Sequence, residues 1–240
     1  MNVIITANYN ELSEEAAKFL IETVKYNPYA VLGLATGTTP LGLYKNLIAD
    51  HKKNGTSYKH IRAVNLDEYK GLPKDHPQSY AYFMRKNLFD HIDIDLNNTY
   101  IEYGMAEDEQ AECERYDAIL NKYPRDIQLL GLGSNGHIAF NEPNTPFDSM
   151  THVVTLAEST VKDNARLFSD ISEVPRKAYT MGLKSIMQAR KIIVLANGLN
   201  KAEIVASLMY GSPSEELPAS ILYNHKDCTV ILDEEAASKL

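Results

Sequence analysis

The run Ile127-Gln-Leu-Leu-Gly-Leu-Gly-Ser-Asn-Gly-His-Ile-Ala-Phe-Asn-Glu-Pro143 decides the fold. Its first residues, Ile127–Leu132, form a short apolar stretch that reads as a buried strand. Gly131, Gly133 and Gly136 then make a tight turn where a ligand can approach the backbone closely. His137 follows at once, and Glu142 comes just before Pro143. An imidazole moves protons near neutral pH, and a carboxylate orients it or works beside it. A glycine loop carrying a histidine directly after a buried strand is where open α/β sheets hold ligands.

The three glycines also match the dinucleotide fingerprint G-x-G-x-x-G. That fingerprint needs a long helix opening at its third glycine and an acidic residue about 20 residues on, at the end of the next strand. Here Pro143 breaks the chain soon after Gly136, between Asn141 and Asn144. Glu158 has roughly the right spacing but opens a helix-like segment. No nicotinamide or flavin cofactor is expected.

Outward from this run, apolar stretches alternate with amphipathic ones. Val3–Thr6, Ala30–Ala35, Ile61–Leu66, Thr99–Tyr103, Val153–Leu156, Ala178–Met181, Ile192–Ala196 and Cys228–Leu232 read as strands. Leu12–Val24, Pro40–Lys52, Ser79–Leu88, Glu107–Lys122, a stretch near Asp163–Phe168, and Lys201–Tyr210 read as helices. The alternation predicts an α/β fold, an open and mainly parallel twisted sheet flanked by helices, Rossmann-like and doubly wound. Residues 1–240 are expected to form one domain.

Two more strand ends carry polar, specific loops. In Ala35-Thr-Gly-Thr-Thr-Pro-Leu-Gly42, Thr39 reads as an N-cap and Pro40 as the first helical residue. The backbone N–H groups and hydroxyls of Thr36, Gly37, Thr38 and Thr39 then suit a phosphate. Gly37 and Gly42 have Walker A spacing, but Leu43 stands where the lysine belongs, which excludes a nucleotide P-loop. In Asn65-Leu-Asp-Glu-Tyr-Lys-Gly-Leu-Pro73, Asp67 and Glu68 fall at the strand end. A carboxylate there can take a proton from carbon beside a carbonyl. Arg166 and Lys201 are cations placed to pair with a phosphate. Asp67, His137 and Glu142 lack the spacing of a metal site, and there is no G-x-S-x-G elbow.

The chain has 44% hydrophobic and 23% charged residues, the composition of a globular protein with a substantial core. Its net charge of −8 argues against a general nucleic-acid binder but leaves room for a phosphorylated small molecule. Two cysteines, Cys113 and Cys228, make neither a disulfide framework nor a zinc ribbon. Met1–Asn10 has no secretory pattern, and no run approaches the roughly 20 apolar residues of a membrane span. A cytoplasmic protein with no membrane or nucleic-acid partner is expected.

Leu34-Ala-Thr-Gly-Thr-Thr-Pro40, the segment Asn65–Pro73 and the segment Gly133–Pro143 together resemble the glucosamine-6-phosphate deaminase family, in order and over nearly the whole chain. Asp163-Asn-Ala-Arg166 and Lys201 add weaker matches. The resemblance implies that Thr36–Thr39, Arg166 and Lys201 hold the sugar phosphate. It implies that His137, supported by Glu142 and Asn135, opens the ring, and that Asp67 moves a proton between C2 and C1. Loss of the C2 amine then gives fructose 6-phosphate and ammonia, with no metal or organic cofactor. It also implies a mobile lid near residues 156–179.

Two departures from the family pattern matter. Many members carry aspartate where this chain has Asn135, and an amide carries no charge. The hexameric members place basic residues after Asn-Glu-Pro, where Asn144–Val154 here holds only His152. A monomer or small homo-oligomer without allosteric activation is expected. One alternative is a 6-phosphogluconolactonase-like hydrolase, whose motifs read differently after the histidine and after the first acidic residue. Another is a sugar-phosphate-sensing effector domain, but the chain opens directly on its first strand with no DNA-binding module.

Overall fold

The computed structural model describes residues 1–156, 158, 161, 165, 168 and 170–240, the side chain of Ser172 excepted. Among the described residues seven strands form one sheet. They are β1 (Asn2–Thr6), β2 (Val31–Leu34), β3 (Arg62–Asn65), β5 (Thr99–Tyr100), β6 (Ile127–Gly131), β9 (Ile192–Ala196) and β10 (Cys228–Asp233). Their order is β1-β10-β9-β6-β2-β3-β5, and every neighbouring pair is parallel. The central strands β2, β9 and β10 are buried along their whole length. A parallel sheet covered on both faces requires such continuous apolar runs.

The flanking helices are α1 (Tyr9–Tyr26), α2 (Leu41–Asn54), α3 (Tyr80–Asn87), α4 (Glu109–Lys122), a single turn α5 (Leu183–Ile186) and α6 (Ala202–Tyr210). Asn8 caps α1 through its side chain, which accepts from the Asn10 and Glu11 N–H groups. Leu12, Ala16, Leu20 and Val24 are buried at four-residue intervals, the stripe of a helix lying on a core. α1 packs along α2. Gly42 permits the close approach, because a Cβ there would collide with the Ser13 side chain. Gly42 thus serves helix packing, not a phosphate loop.

The predicted strands and helices form where expected, with ends shifted by a few residues. Thr99–Tyr103 is shorter than expected, since only Thr99–Tyr100 pairs. The expected helical stretch near Asp163–Phe168 lies largely outside the described residues. Nine residues of the expected lid, 156–179, also lie outside them, and its last three, Lys177–Tyr179, belong to a strand.

One feature was not anticipated. A second sheet of three short antiparallel strands, in the order β4-β8-β7, sits apart from the first. Its strands are β4 (Asp67–Tyr69), β7 (His152–Thr155) and β8 (Lys177–Thr180). Asp67 and Glu68 are therefore strand residues, not loop residues. A small aromatic and aliphatic cluster containing Tyr69, Phe140, Leu156 and Val174 packs under this sheet. Among the described residues no helix is long and apolar enough to cross a membrane.

Gly42→Ala should lower the melting temperature. Overpacking costs about 1–3 kcal/mol, and each kcal/mol shifts a protein of this size by about 2–4 °C. An unchanged melting temperature would mean that Ser13 yields without cost.

Candidate active site

The chain runs outward from β2 to β3 and β5, then returns to the other side of β2 with β6. The order thus reverses between β2 and β6. Ligands in open α/β sheets bind beyond the carboxyl ends of the strands at such a reversal. A cavity of about 430 Å³ opens there, lined by Thr36–Pro40, Asp67, Gly133, Ser134, His137 and Lys201, with Tyr69, Tyr80 and Phe140 as an aromatic wall. Four separate strand ends contribute to it.

The loop after β2 differs from expectation at its cap. Pro40, not Thr39, is the N-cap of α2, and it supplies no side-chain cap bond of its own. The Thr39 hydroxyl donates instead to Asn197 Oδ1, at 3.1 Å, tying this loop to the one after β9. Tyr9, at the start of α1, braces the loop from below. Its hydroxyl donates to the Thr38 and Thr39 carbonyls and accepts from the Gly42 N–H at 2.8 Å. Tyr9 carried no motif, so nothing in the sequence marked it. The Leu41 and Gly42 N–H groups are engaged, whereas those of Thr36–Thr39 bond no other described residue and remain as backbone donors for an anion.

Lys201 completes this side. It sits just before α6, lines the cavity, and its ammonium donates to the Leu132 carbonyl at 2.7 Å. One cation thereby links the loops after β6 and β9. Arg166, the second expected phosphate ligand, lies outside the described residues.

The glycine–histidine loop folds without a following helix, as Pro143 foretold. Gly133 N–H donates to the His137 carbonyl at 2.9 Å and closes the turn. Gly133 must be glycine, because a Cβ would collide with the His137 ring. The imidazole Nδ1 lies 3.7 Å from Glu142 Oε2, beyond hydrogen-bond distance but close enough for attraction once the ring is protonated. Asn135 donates to that same oxygen at 2.6 Å, and its Oδ1 accepts from the His137 backbone N–H at 3.2 Å. Asn135 therefore orients Glu142 and the loop backbone, not the ring.

Asn141 staples the far end of the loop. It is fully buried, and its amide donates to the carbonyls of Ile138 and Met181, both at 2.9 Å. The Phe140 N–H donates to the Thr180 hydroxyl at 3.1 Å. Thr180 in turn pairs with Asp67 across β4 and β8, and the Met181 N–H donates to the Leu66 carbonyl at 2.7 Å. The small sheet thus fixes His137 and Asp67 relative to each other.

Asp67 faces the cavity yet is only 7% exposed. Burial, aided by the neighbouring charge of Glu68, pushes its carboxyl up to about 8. A carboxylate of that basicity is well matched to removing a weakly acidic proton from carbon near neutral pH. Among the described residues no group of three or more His, Cys, Asp or Glu side chains is placed to hold a metal ion.

A family model described as glucosamine-6-phosphate isomerases/6-phosphogluconolactonase matches residues 6–231. A protein of Geobacillus sp. (strain WCH70) named glucosamine-6-phosphate deaminase is 52% identical, over 99% of this chain and 95% of its own. Its namesake from Clostridium perfringens (strain ATCC 13124) is 51% identical over the full length of both. A solved structure described as a monomeric glucosamine-6-phosphate deaminase superposes with a TM-score of 0.98 at 48% identity, covering all of both chains. A 6-phosphogluconolactonase from Trypanosoma cruzi shares the fold at a TM-score of 0.79 and 22% identity, over 100% of this chain and 96% of its own.

Two predictions follow from this geometry. Thr180→Val removes the acceptor of the buried Phe140 N–H, which should cost about 1–3 kcal/mol and lower kcat by displacing the loop. Full stability and activity would show that the staple is dispensable. The folded Asp67 carboxyl keeps its proton at a pH where an unfolded one, with a value near 4, has lost it. The stability linked to it is therefore complete below about pH 4 and lost as pH rises toward 8. Asp67→Asn should thus melt above the wild type at pH 8, with the gap closing toward pH 5. A variant less stable at both would contradict the assignment.

Proposed function

The chain belongs to the glucosamine-6-phosphate isomerase/6-phosphogluconolactonase family, and on that premise we propose that it is a glucosamine-6-phosphate deaminase. It converts glucosamine 6-phosphate and water to fructose 6-phosphate and ammonia. The observation that carries this reading is the meeting of a basic buried carboxylate, Asp67, and a histidine, His137, in one cavity beside an anion-binding loop and Lys201.

In this reading the phosphate rests on the N–H groups and hydroxyls of Thr36, Gly37, Thr38 and Thr39, and on Lys201. The family resemblance assigns Arg166 to the same group. Phosphate held far from C1 and C2 supplies orientation without entering the chemistry. His137 takes the proton of the C1 hydroxyl as the ring opens and passes one to the ring oxygen. Glu142, held by Asn135, stabilises the imidazolium that forms between the two transfers. Asp67 then removes the C2 proton of the open-chain aldehyde and returns a proton to C1. The resulting C2 imine takes up water and loses ammonia.

The same reading makes residues 1–240 a single domain whose partner is a small sugar phosphate. A monomer is supported by likeness to the monomeric relative, and a cytoplasmic setting by the two free cysteines. A lactonase is disfavoured because the relatives near 50% identity are named deaminases, whereas the lactonase likeness is one of fold.

Incubation with glucosamine 6-phosphate and EDTA should release ammonia and fructose 6-phosphate in equal amounts. Release of neither, with the sugar phosphate still raising the melting temperature, would overturn the proposal in favour of a sensor.

A further inference from the structure

Behind Asp67 lie two more buried carboxyls, Glu68 and Glu102, that the reaction does not use. Both are almost fully enclosed, Glu68 at 1% exposure and Glu102 at 0%. Their surroundings differ completely. Glu68 Oε1 accepts from the N–H groups of Tyr69 at 2.8 Å and Tyr80 at 2.9 Å, and Oε2 accepts from Ala81 at 2.9 Å. Tyr80 and Ala81 open α3, and the Ser79 hydroxyl takes the next N–H, that of Tyr82. Glu68 thus sits on the positive end of a helix with three donors aimed at it, an environment that stabilises a charge.

Glu102 has no such support. Neither of its oxygens has a hydrogen-bond partner among the described residues. Its segment is pressed against β4: the Gly71 N–H donates to the Gly104 carbonyl at 2.8 Å, and a Cβ on Gly104 would collide with the Tyr69 and Leu72 carbonyls. An unpartnered carboxylate cannot stay ionised in such a place beside other acids.

We propose that Glu68 gives up its proton before Glu102, which keeps its own, and that Glu68 is thereby the positioning residue whose charge, added to burial, raises the proton affinity of Asp67. This rests on the reading of Asp67 as the carbon base. On the α4 side, Glu102 faces the Cys113 thiol, the Tyr116 phenol, whose hydroxyl donates to the Asn65 carbonyl, and Arg115. Lys74 acts on Glu68 and favours its charge, and Tyr69 and Tyr80 are phenols whose rings lie 4.8 Å apart. Glu112, on α4, is already paired with Arg115 and with the Tyr103 N–H. His137 and Lys201 line the same cavity as Asp67. Burial pushes Glu102 well above the usual carboxylate range, with the Asp67 charge adding to it. Burial also raises Glu68, to about 7, but its three backbone bonds and Lys74 hold it below Asp67, so it ionises first.

Carbon-13 NMR of the side-chain carboxyls in the unliganded protein reads these protons directly. In the wild type, Glu68 should ionise at lower pH than Glu102. Glu68→Gln should move the Asp67 midpoint down by about one pH unit, because a neighbouring negative charge is gone. The acid limb of kcat/KM should move with it, which a purely structural role would not produce. Glu102→Gln should leave the Asp67 midpoint in place and abolish one infrared carbonyl band of a protonated carboxylic acid at neutral pH. Glu102 ionising before Glu68, or Glu102→Gln shifting Asp67 as far as Glu68→Gln, would overturn the proposal. If Glu68→Gln fails to fold, the wild-type order of ionisation and the Glu102→Gln spectra still decide it. None of these midpoints depends on turnover, so they stand apart from the role of Asp67. Loss of C2 hydrogen exchange in Asp67→Asn decides that role separately.

Discussion

The pairing of Asp67 with Thr180 across β4 and β8 is the contact on which the site depends. Asp67 and His137 follow different strands of the main sheet, β3 and β6, with β2 between them. Nothing in a parallel sheet fixes the loops of two non-adjacent strands against each other. The small sheet does so through Thr180 and Met181, which bond Phe140, Asn141 and Leu66 at once. Because those donors and acceptors are buried, leaving any of them unpaired costs more than the bond itself contributes. A divided proton-transfer pair is thereby held at fixed separation by backbone and by two short side chains.

Much of the main sheet was legible in the sequence because its strands are uniformly apolar and its helices carry four-residue stripes. The runs around Val31, Ile127 and Ile192 are buried on both faces, so they stand out in any reading. The small sheet was not legible. Asp67–Tyr69 is three residues long and polar at its start, and its partner at Lys177–Thr180 lies more than a hundred residues away. No periodicity registers over so short a length.

The site was legible where the chemistry is written in a motif, as in the glycine–histidine run, and obscure where support comes from elsewhere. Tyr9 precedes the loop it braces by some thirty residues. Asn135 was expected to support His137, and it does so at the backbone, where its oxygen accepts from the His137 N–H while its NH2 group donates to Glu142. Thr39 fits the pattern of a helix cap but bonds Asn197 instead, because the loop after β9 competes for its hydroxyl. In each case a tertiary partner, invisible to local pattern, took the group.

The electrostatics of the site oppose its stability. A carboxyl kept out of water is costly to ionise, and the same cost makes Asp67 basic enough to act on carbon. The division of labour between Asp67 and His137 is the central claim, and incorporation of solvent deuterium at C1 and C2 of the sugar tests it most directly. In heavy water, His137→Gln should carry out this exchange slowly, limited by spontaneous ring opening, whereas Asp67→Asn should show none. Exchange that survives in Asp67→Asn at the wild-type rate would contradict the account, since another group would then be moving the carbon-bound proton.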